Sequence, residues 1–233
     1  MGNRTLIFGT SYVGNYTQLE TFALWAKVTR KLNPDTNILV VDSGSPLDLH
    51  KAAQENQIQI FHHEDNIGHL NATGKDGWGR AFTTGIQSAF LGEYDWIAAL
   101  DCDLIFAKPV GPVIEKLART NIKVAMPIAT PFLFTETALC FASVPYLEKI
   151  DFIGKYDWQN PPRDQPFNIP EVRCEKIFAD DLFVLLLRGY RGHGGSVTWG
   201  NWDRCAAYGL DWLHAVPDMG LYRRMLRMNG VDV

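Results

Sequence analysis

The stretch that decides the fold runs from Gly92 to Lys108, GEYDWIAALDCDLIFAK. Its centre, Trp96-Ile97-Ala98-Ala99-Leu100, is a short run of apolar residues and reads as a strand buried on both faces. It ends in Asp101-Cys102-Asp103, and a second apolar run, Leu104-Ile105-Phe106, follows at once. In an open α/β sheet, ligands sit at the carboxyl ends of the strands. Two carboxylates two residues apart between apolar flanks repel each other and are poorly solvated unless a cation or hydrogen-bond donors neutralise them. A hard dication does so, since Mg²⁺ usually takes one or two carboxylates plus substrate phosphates. The plainer alternative is that Asp101 caps a turn and Asp103 is solvated.

Working outward from this strand, the N-terminal part has a strand–helix rhythm. Arg4 to Phe8 reads as a strand stopped by Gly9-Thr10-Ser11. Tyr16 to Leu32 carries Leu19, Phe22, Ala23, Ala26 and Leu32 near helical spacing, and Asn33-Pro34 ends it. Asn37 to Val41 is a second buried strand, Leu47 to Asn56 a short helix, and Ile58 to Phe61 a third strand. Such alternation implies a parallel sheet with right-handed crossovers. After the turn-rich Asn66-Ile67-Gly68-His69, a helix opens at Gly77-Trp78-Gly79-Arg80 and runs to about Leu91. Glycines there would let the backbone approach a ligand and aim free N–H groups at it.

Beyond the aspartates, Pro112 to Arg119 reads as a helix, with strands at Lys123 to Met126 and Ala138 to Val144. The proline-rich segment Asp151 to Val172 reads as a long loop of the kind that forms lids or binding loops. Leu182 to Arg188, apolar up to its last residue, is expected to be a buried helix closed by Gly189-Tyr190. Leu221 to Met228 is expected to be a terminal amphipathic helix with a solvated basic face.

The chain has 233 residues, enough for one α/β domain with a substantial core. A net charge of -4 gives no electrostatic footprint for nucleic acid. No segment approaches 18 uninterrupted apolar residues, so no membrane span is expected, and too few apolar residues precede Gly9 for a secretory leader. Cys102, Cys140, Cys174 and Cys205 lack metal or disulfide spacing and read as reduced core thiols of a cytoplasmic protein.

Four ordered stretches resemble the nucleotide-sugar glycosyltransferases of the GT-A fold, closest in pattern to family 2. They are Val41-Asp42-Ser43-Gly44-Ser45; Asn66, Gly68 and Gly79-Arg80-Ala81; Gly92-Glu93-Tyr94 before Asp101-Cys102-Asp103; and Asp180-Asp181-Leu182 with Gly189-Tyr190. The resemblance departs from the family pattern at Asp180, where Glu is more usual, and in the displaced Arg188.

It implies a single domain with a mostly parallel, Rossmann-like central sheet flanked by helices. The domain would carry a smaller acceptor-side subregion, with residues 1–108 forming the nucleotide-sugar half and 109–233 the acceptor half with the catalytic base. Thr10, Asp42, Asn66, Gly79, Arg80, Asp101, Cys102 and Asp103 would line the donor site, with Asp42 on the nucleobase and Gly79 and Arg80 against the sugar or diphosphate. Asp103 would hold Mn²⁺ or Mg²⁺ together with Asp101. His214 resembles a downstream metal-binding histidine, with His193 competing for that role. Asp181, next to Asp180, would be the base on the acceptor hydroxyl and would make the reaction inverting.

The expected partners are a UDP- or GDP-linked sugar and an acceptor hydroxyl, a saccharide in the first instance. Tyr156, Trp158, Trp199, Trp202 and Trp212 are candidate stacking surfaces for it. The rival readings are a non-catalytic nucleotide-sugar or carbohydrate-binding module and a sugar nucleotidyltransferase. The latter is disfavoured because Gly9 to Gly14 contains no basic residue.

Overall fold

A computed structural model describes residues 3–68, 75–128, 135–161, 170–192, 209–216 and 218–233. Strands β1 (Thr5–Ser11), β2 (Asn37–Asp42), β3 (Gln59–His62) and β4 (Trp96–Leu100) are mutually parallel. They alternate with α1 (Tyr16–Leu32), α2 (His50–Glu55) and α3 (Gly77–Leu91). The Asn15 side chain caps α1 by accepting from Gln18 N at 3.0 Å, and Asp76 caps α3 by accepting from Gly79 N at 2.7 Å. Both supply an acceptor for an N–H that has no partner within its helix.

Two-sided burial of the central strands is explicit in the packing. Ile7, Val40, Ala98 and Leu100 face one core together with Phe22, Trp25 and Val28 of α1. Leu6, Phe8, Val41, Ile97 and Ala99 face the other with Phe82 and Ile86 of α3. Alternate residues of one strand thus enter opposite cores, so an unbroken apolar run is what this position requires. Fully burying one such side chain contributes about 1.5–3 kcal/mol.

The sheet then continues through β7 (Leu139–Ser143), β6 (Val124–Pro127) and β8 (Leu182–Leu185), in the order β3-β2-β1-β4-β7-β6-β8. β7 is antiparallel to both of its neighbours, and β8 is parallel to β6. A smaller sheet of β5 (Leu104–Phe106), β10 (Trp212–His214) and β9 (Gly189–Arg191) follows the DCD turn, in the order β5-β10-β9. The remaining helices are α4 (Val110–Arg119), α5 (Val144–Lys149), α6 (Phe152–Lys155), α7 (Pro170–Phe178) and α8 (Met219–Met228).

Two expectations change. Leu182 to Arg188 is not a buried helix. Its first four residues pair with Val124–Pro127 as a strand, Phe183 and Val184 are exposed, and Leu186 is 96% exposed. A run with no polar residues carries neither a 3.6- nor a 2-residue period, so hydrophobicity alone could not assign it. The segment from Asp151 is also not wholly a loop. It begins with the one-turn helix α6, buries Phe152 and Tyr156, and enters α7 at Pro170.

Tail helix α8 buries Leu221, Tyr222, Met225 and Leu226 and exposes Arg223, Arg224 and Arg227, as its spacing predicts. Cys102, Cys140 and Cys174 are free and buried, whereas Cys205 lies outside the described residues. Among the described residues no helix is long and apolar enough to cross a membrane.

Candidate functional site

The carboxyl ends of β1, β2 and β4 lie side by side, which brings Thr10, Asp42 and Asp101 to one edge of the sheet. Asp101 is buried and held on both oxygens. Thr10 Oγ1 donates to Oδ1 at 2.6 Å, and the Trp78 indole N–H at the start of α3 donates to Oδ2 at 2.9 Å. Burial, then the neighbouring Asp103, pushes its pKa up to about 7, against the pull of His214 and the two donors. The DCD turn closes through Leu104 N donating to Asp101 O at 2.8 Å, and the Asp103 side chain is half exposed.

The small sheet delivers the third member. His214 pairs in register with Leu104 on one side and with Arg191 on the other, so the strand after the turn positions the imidazole against the turn itself. Ala215 N and the Tyr222 hydroxyl both donate to Asp103 O, at 3.0 and 2.9 Å. His214 Nε2 lies 3.2 Å from Asp103 Oδ1, and Nδ1 lies 3.0 Å from Oε2 of the fully buried Glu136. Burial disfavours the imidazolium, but Asp103 and Glu136 outweigh it and raise the His214 pKa well above its ordinary value. Burial alone would raise Glu136; His214 and Arg191 reverse this and hold it below the usual carboxylate value.

One ligand atom each from Asp101, Asp103 and His214 lies within 4.8 Å of the other two. Two carboxylates and an imidazole, two of the three buried, form a donor set that a divalent cation fits, because charge neutralisation removes the repulsion that raises Asp101. Asp101 and Asp103 come from residues 1–108, and His214 and Glu136 from residues 109–233.

Glycosyl transferase family 2 matches residues 23–134, a span that covers β2, α3 and the DCD turn. A mannosyltransferase from Pyrobaculum calidifontis, solved in complex with GDP-Man and Mn²⁺, superposes with a TM-score of 0.53 at 12% identity, covering 88% of this chain and 61% of that one. The bifunctional glycosyltransferase WbbM, solved in its apo form, gives 0.61 at 10% identity, covering 98% and 49%. The fold is the GT-A fold of these glycosyltransferases. The chain spans 61% and 49% of those two proteins' lengths. No curated protein matches its sequence.

Around the GT-A cluster, the other expected donor residues divide by what holds them. Asp42 is buried and accepts from Ser45 N at 3.1 Å, from Ser45 Oγ and from His62 Nδ1, which lies 2.7 Å away. An ionised carboxylate offers about four lone-pair sites, so one remains for a ligand donor. Beside it, at the ends of β2 and β3, lies a cleft of about 270 Å³ that Leu47, His50 and Ile60 also line.

Arg80 is buried and donates to Asp65 Oδ1 at 2.7 Å and to the Asp65 carbonyl, while its Nε–H has no acceptor among the described residues. Asn66 closes a turn by accepting from Gly68 N at 2.7 Å. Gly79 is required by packing, because a Cβ there would lie 2.4 Å from Tyr156 Cε1. The Cys102 thiol is buried and lies against Gly9, where an added Cβ would sit 2.6 Å from Cys102 Sγ. The Cys102 backbone N–H donates to Thr10 O at 3.0 Å.

Asp180 and Asp181 are not brought to the site. They lie in a 3₁₀ turn just before β8, and Leu182 is level with Val124, Ala142 and Ile97 across the sheet. Asp181 is therefore level with Trp96, the amino end of β4, roughly 16 Å of strand rise below Asp101 and about three strand spacings to the side. There it accepts from the Tyr146 hydroxyl at 2.9 Å.

Two stacking candidates are core residues. Tyr156 and Trp212 are fully buried, and Trp212 packs on Gly189 so closely that a Cβ there would lie 1.7 Å from its ring. Trp158 is partly exposed, with the Arg80 guanidinium 5.9 Å from its ring. His193, Trp199 and Trp202 lie outside the described residues.

The residues that sequence reasoning missed are Glu136, Arg191, Trp78 as a donor, and Glu171. Glu136 is a lone acid three residues before a buried strand, and Arg191 directly follows the Gly-Tyr pair. Those placements are the only signals that could have flagged them.

Proposed function

We propose that the chain is a metal-dependent glycosyltransferase that moves a sugar from a nucleoside-diphosphate donor to an acceptor hydroxyl. The observation that carries this reading is the convergence of Asp101, Asp103 and His214 at the carboxyl ends of a GT-A sheet. Mn²⁺ suits the mixed oxygen and nitrogen donors better than Mg²⁺, which favours all-oxygen surroundings. A dication bound there would act as a Lewis acid on the departing diphosphate.

The protein's own residues have separable tasks. Thr10 and Trp78 fix the Asp101 carboxylate by one donor on each oxygen, so it is oriented before any ligand arrives. Asp42 and the cleft beside it take the nucleobase, through the remaining acceptor site of that carboxylate. Arg80 faces the same edge of the sheet. Its partner Asp65 is largely exposed, so solvent screens the pair and a diphosphate can compete for the guanidinium. Trp158 beside Arg80 offers the apolar face a saccharide would stack on. Asp181, at the opposite end of the sheet, is not the base on the acceptor in this reading. The donor base, UDP or GDP, is read directly by the test that follows.

The test is a thermal-shift series of UDP, GDP and their sugar conjugates, each with and without Mn²⁺. A native-state ligand at 100 times its Kd stabilises by about 2.7 kcal/mol. The expected result is a rise in Tm with one nucleotide family, only when Mn²⁺ is present, and none in Asp103→Ala. Equal shifts with Mn²⁺ and with excess chelator would overturn the metal requirement. No shift with any nucleotide would overturn the donor class.

A further inference from the structure

Glu136 is charged, has no exposed surface and stands outside the cluster that the GT-A reading explains. Burying an ionised carboxylate is costly unless it is paired and hydrogen-bonded, so its partners indicate what it is for. Its position is fixed by the backbone. Glu136 N donates to Pro127 O at 2.7 Å at the end of β6, and Leu139 N donates to Glu136 O at 3.1 Å at the start of β7. Oε1 accepts from Ala138 N at 3.2 Å, and Arg191 Nη1 stands 3.7 Å from it. Oε2 faces His214 Nδ1 at 3.0 Å.

Arg191 does not require Glu136 as a counter-ion, because its guanidinium also bonds Glu171 at short range. The nearer and better aligned partner of Glu136 is the imidazole. On that ring Nδ1 points to Glu136 and Nε2 points to Asp103.

We propose that Glu136 is a positioning residue for the metal site, an inference that rests on the metal-dependent reading above. By holding the Nδ1 proton it makes Nε2, which faces the space between Asp101 and Asp103, the nitrogen that gives up its proton to a bound cation. Arg191, braced by Glu171, in turn holds Glu136 in place. A histidine ligand whose second nitrogen donates to a carboxylate is oriented and made more basic, and loss of such a partner costs about 10–100-fold in metal affinity. The β9–β10 register supplies the whole arrangement, since it places Arg191 and His214 opposite each other on adjacent strands.

The experiment measures Mn²⁺ binding by electron paramagnetic resonance of the free ion, in the full chain and without nucleotide. Wild type, Glu136→Gln and Asp103→Ala are compared, with circular dichroism to establish folding. The expected result is tight binding by wild type, affinity about 10-fold lower in Glu136→Gln, and binding abolished in Asp103→Ala. Wild-type affinity in a folded Glu136→Gln, with Asp103→Ala inactive in binding, would overturn the role of Glu136 and leave the metal reading intact. Absence of Mn²⁺ binding by wild type would overturn the metal reading itself.

Should Glu136→Gln not fold, ring-nitrogen NMR of wild type saturated with Zn²⁺, a diamagnetic ion that takes imidazole and carboxylate ligands, decides the matter. A proton on Nδ1 of His214 supports the proposal, and a proton on Nε2 overturns it.

Discussion

Each end of the seven-stranded sheet carries a close pair of aspartates, and the two pairs have opposite surroundings. Asp101 and Asp103 close a buried strand, and Thr10, Trp78, His214 and, behind the histidine, Glu136 surround them. Asp180 and Asp181 precede an edge strand; both are exposed, and the Tyr146 hydroxyl bonds Asp181. Acidic doublets in sequence are therefore not equivalent. What distinguishes them is whether the fold removes water from a carboxylate, as it does from Asp101, and sets a cationic or metal-binding group against the pair. Only the first pair meets that condition.

The comparison is broken most directly by alanine at each end. Asp103→Ala is expected to lower sugar transfer by at least about 100-fold, on the scale of losing one preorganised electrostatic contact. Asp181→Ala is expected to leave transfer within about twofold of wild type and stability within about 1 kcal/mol, the range for an exposed position. Initial rates of nucleoside diphosphate release for the two variants check both. A large loss of activity in Asp181→Ala with the fold intact would mean that the two ends are not so different.

A second, smaller effect concerns packing at the metal end. Gly189→Ala would drive a methyl group into the Trp212 ring and displace the β9–β10 pair that carries Arg191 and His214. Overpacking of this kind typically costs about 1–3 kcal/mol. The expected outcome is a lower denaturation midpoint together with weaker Mn²⁺ binding. Tyr146→Phe, which removes only the partner of Asp181, is expected to change stability by about 1 kcal/mol or less.

Acidity sharpens the contrast further. Asp101 is raised to about 7 in the folded chain, above the ordinary unfolded value of about 3.9. Its contribution to the stability of the metal-free protein is thus fully present below the unfolded value and is lost as pH rises through 7. A cation needs the ionised form, so Mn²⁺ affinity is expected to fall as pH drops below 7, by at most about tenfold per pH unit from this group. Titrations between pH 5.5 and 8 check the sign. An affinity independent of pH over that range would contradict the environment described for Asp101.

Much of this fold is legible in the sequence because its strands are buried on both faces. Trp96–Leu100 and Asn37–Val41 read as strands of a central sheet, and Asn33-Pro34 marks a helix end by local chemistry. The run at Leu182 was not legible, because leucine and phenylalanine without interruption suit helix and strand equally. Its pairing with Val124–Pro127 is a long-range fact.

The same distinction holds at the site. Asp101 and Asp103 announce themselves by lying together after a strand. His214 is brought to them across 111 residues by the β5–β10 pairing, and Glu136 by the entry into β7. Gly79 shows the converse, since a glycine that looked like a place for ligand approach is explained by Tyr156 packing against it.

The central claim is that the two carboxylates and the imidazole at the carboxyl edge of the sheet bind a dication, and that the dication binds a nucleotide. Isothermal titration of UDP and of GDP into the chain with Mn²⁺, and again with excess EDTA, tests it in one measurement. The account predicts saturable binding of one nucleotide with Mn²⁺ and its loss with EDTA. Equal affinity under both conditions, or binding by neither nucleotide, would contradict it.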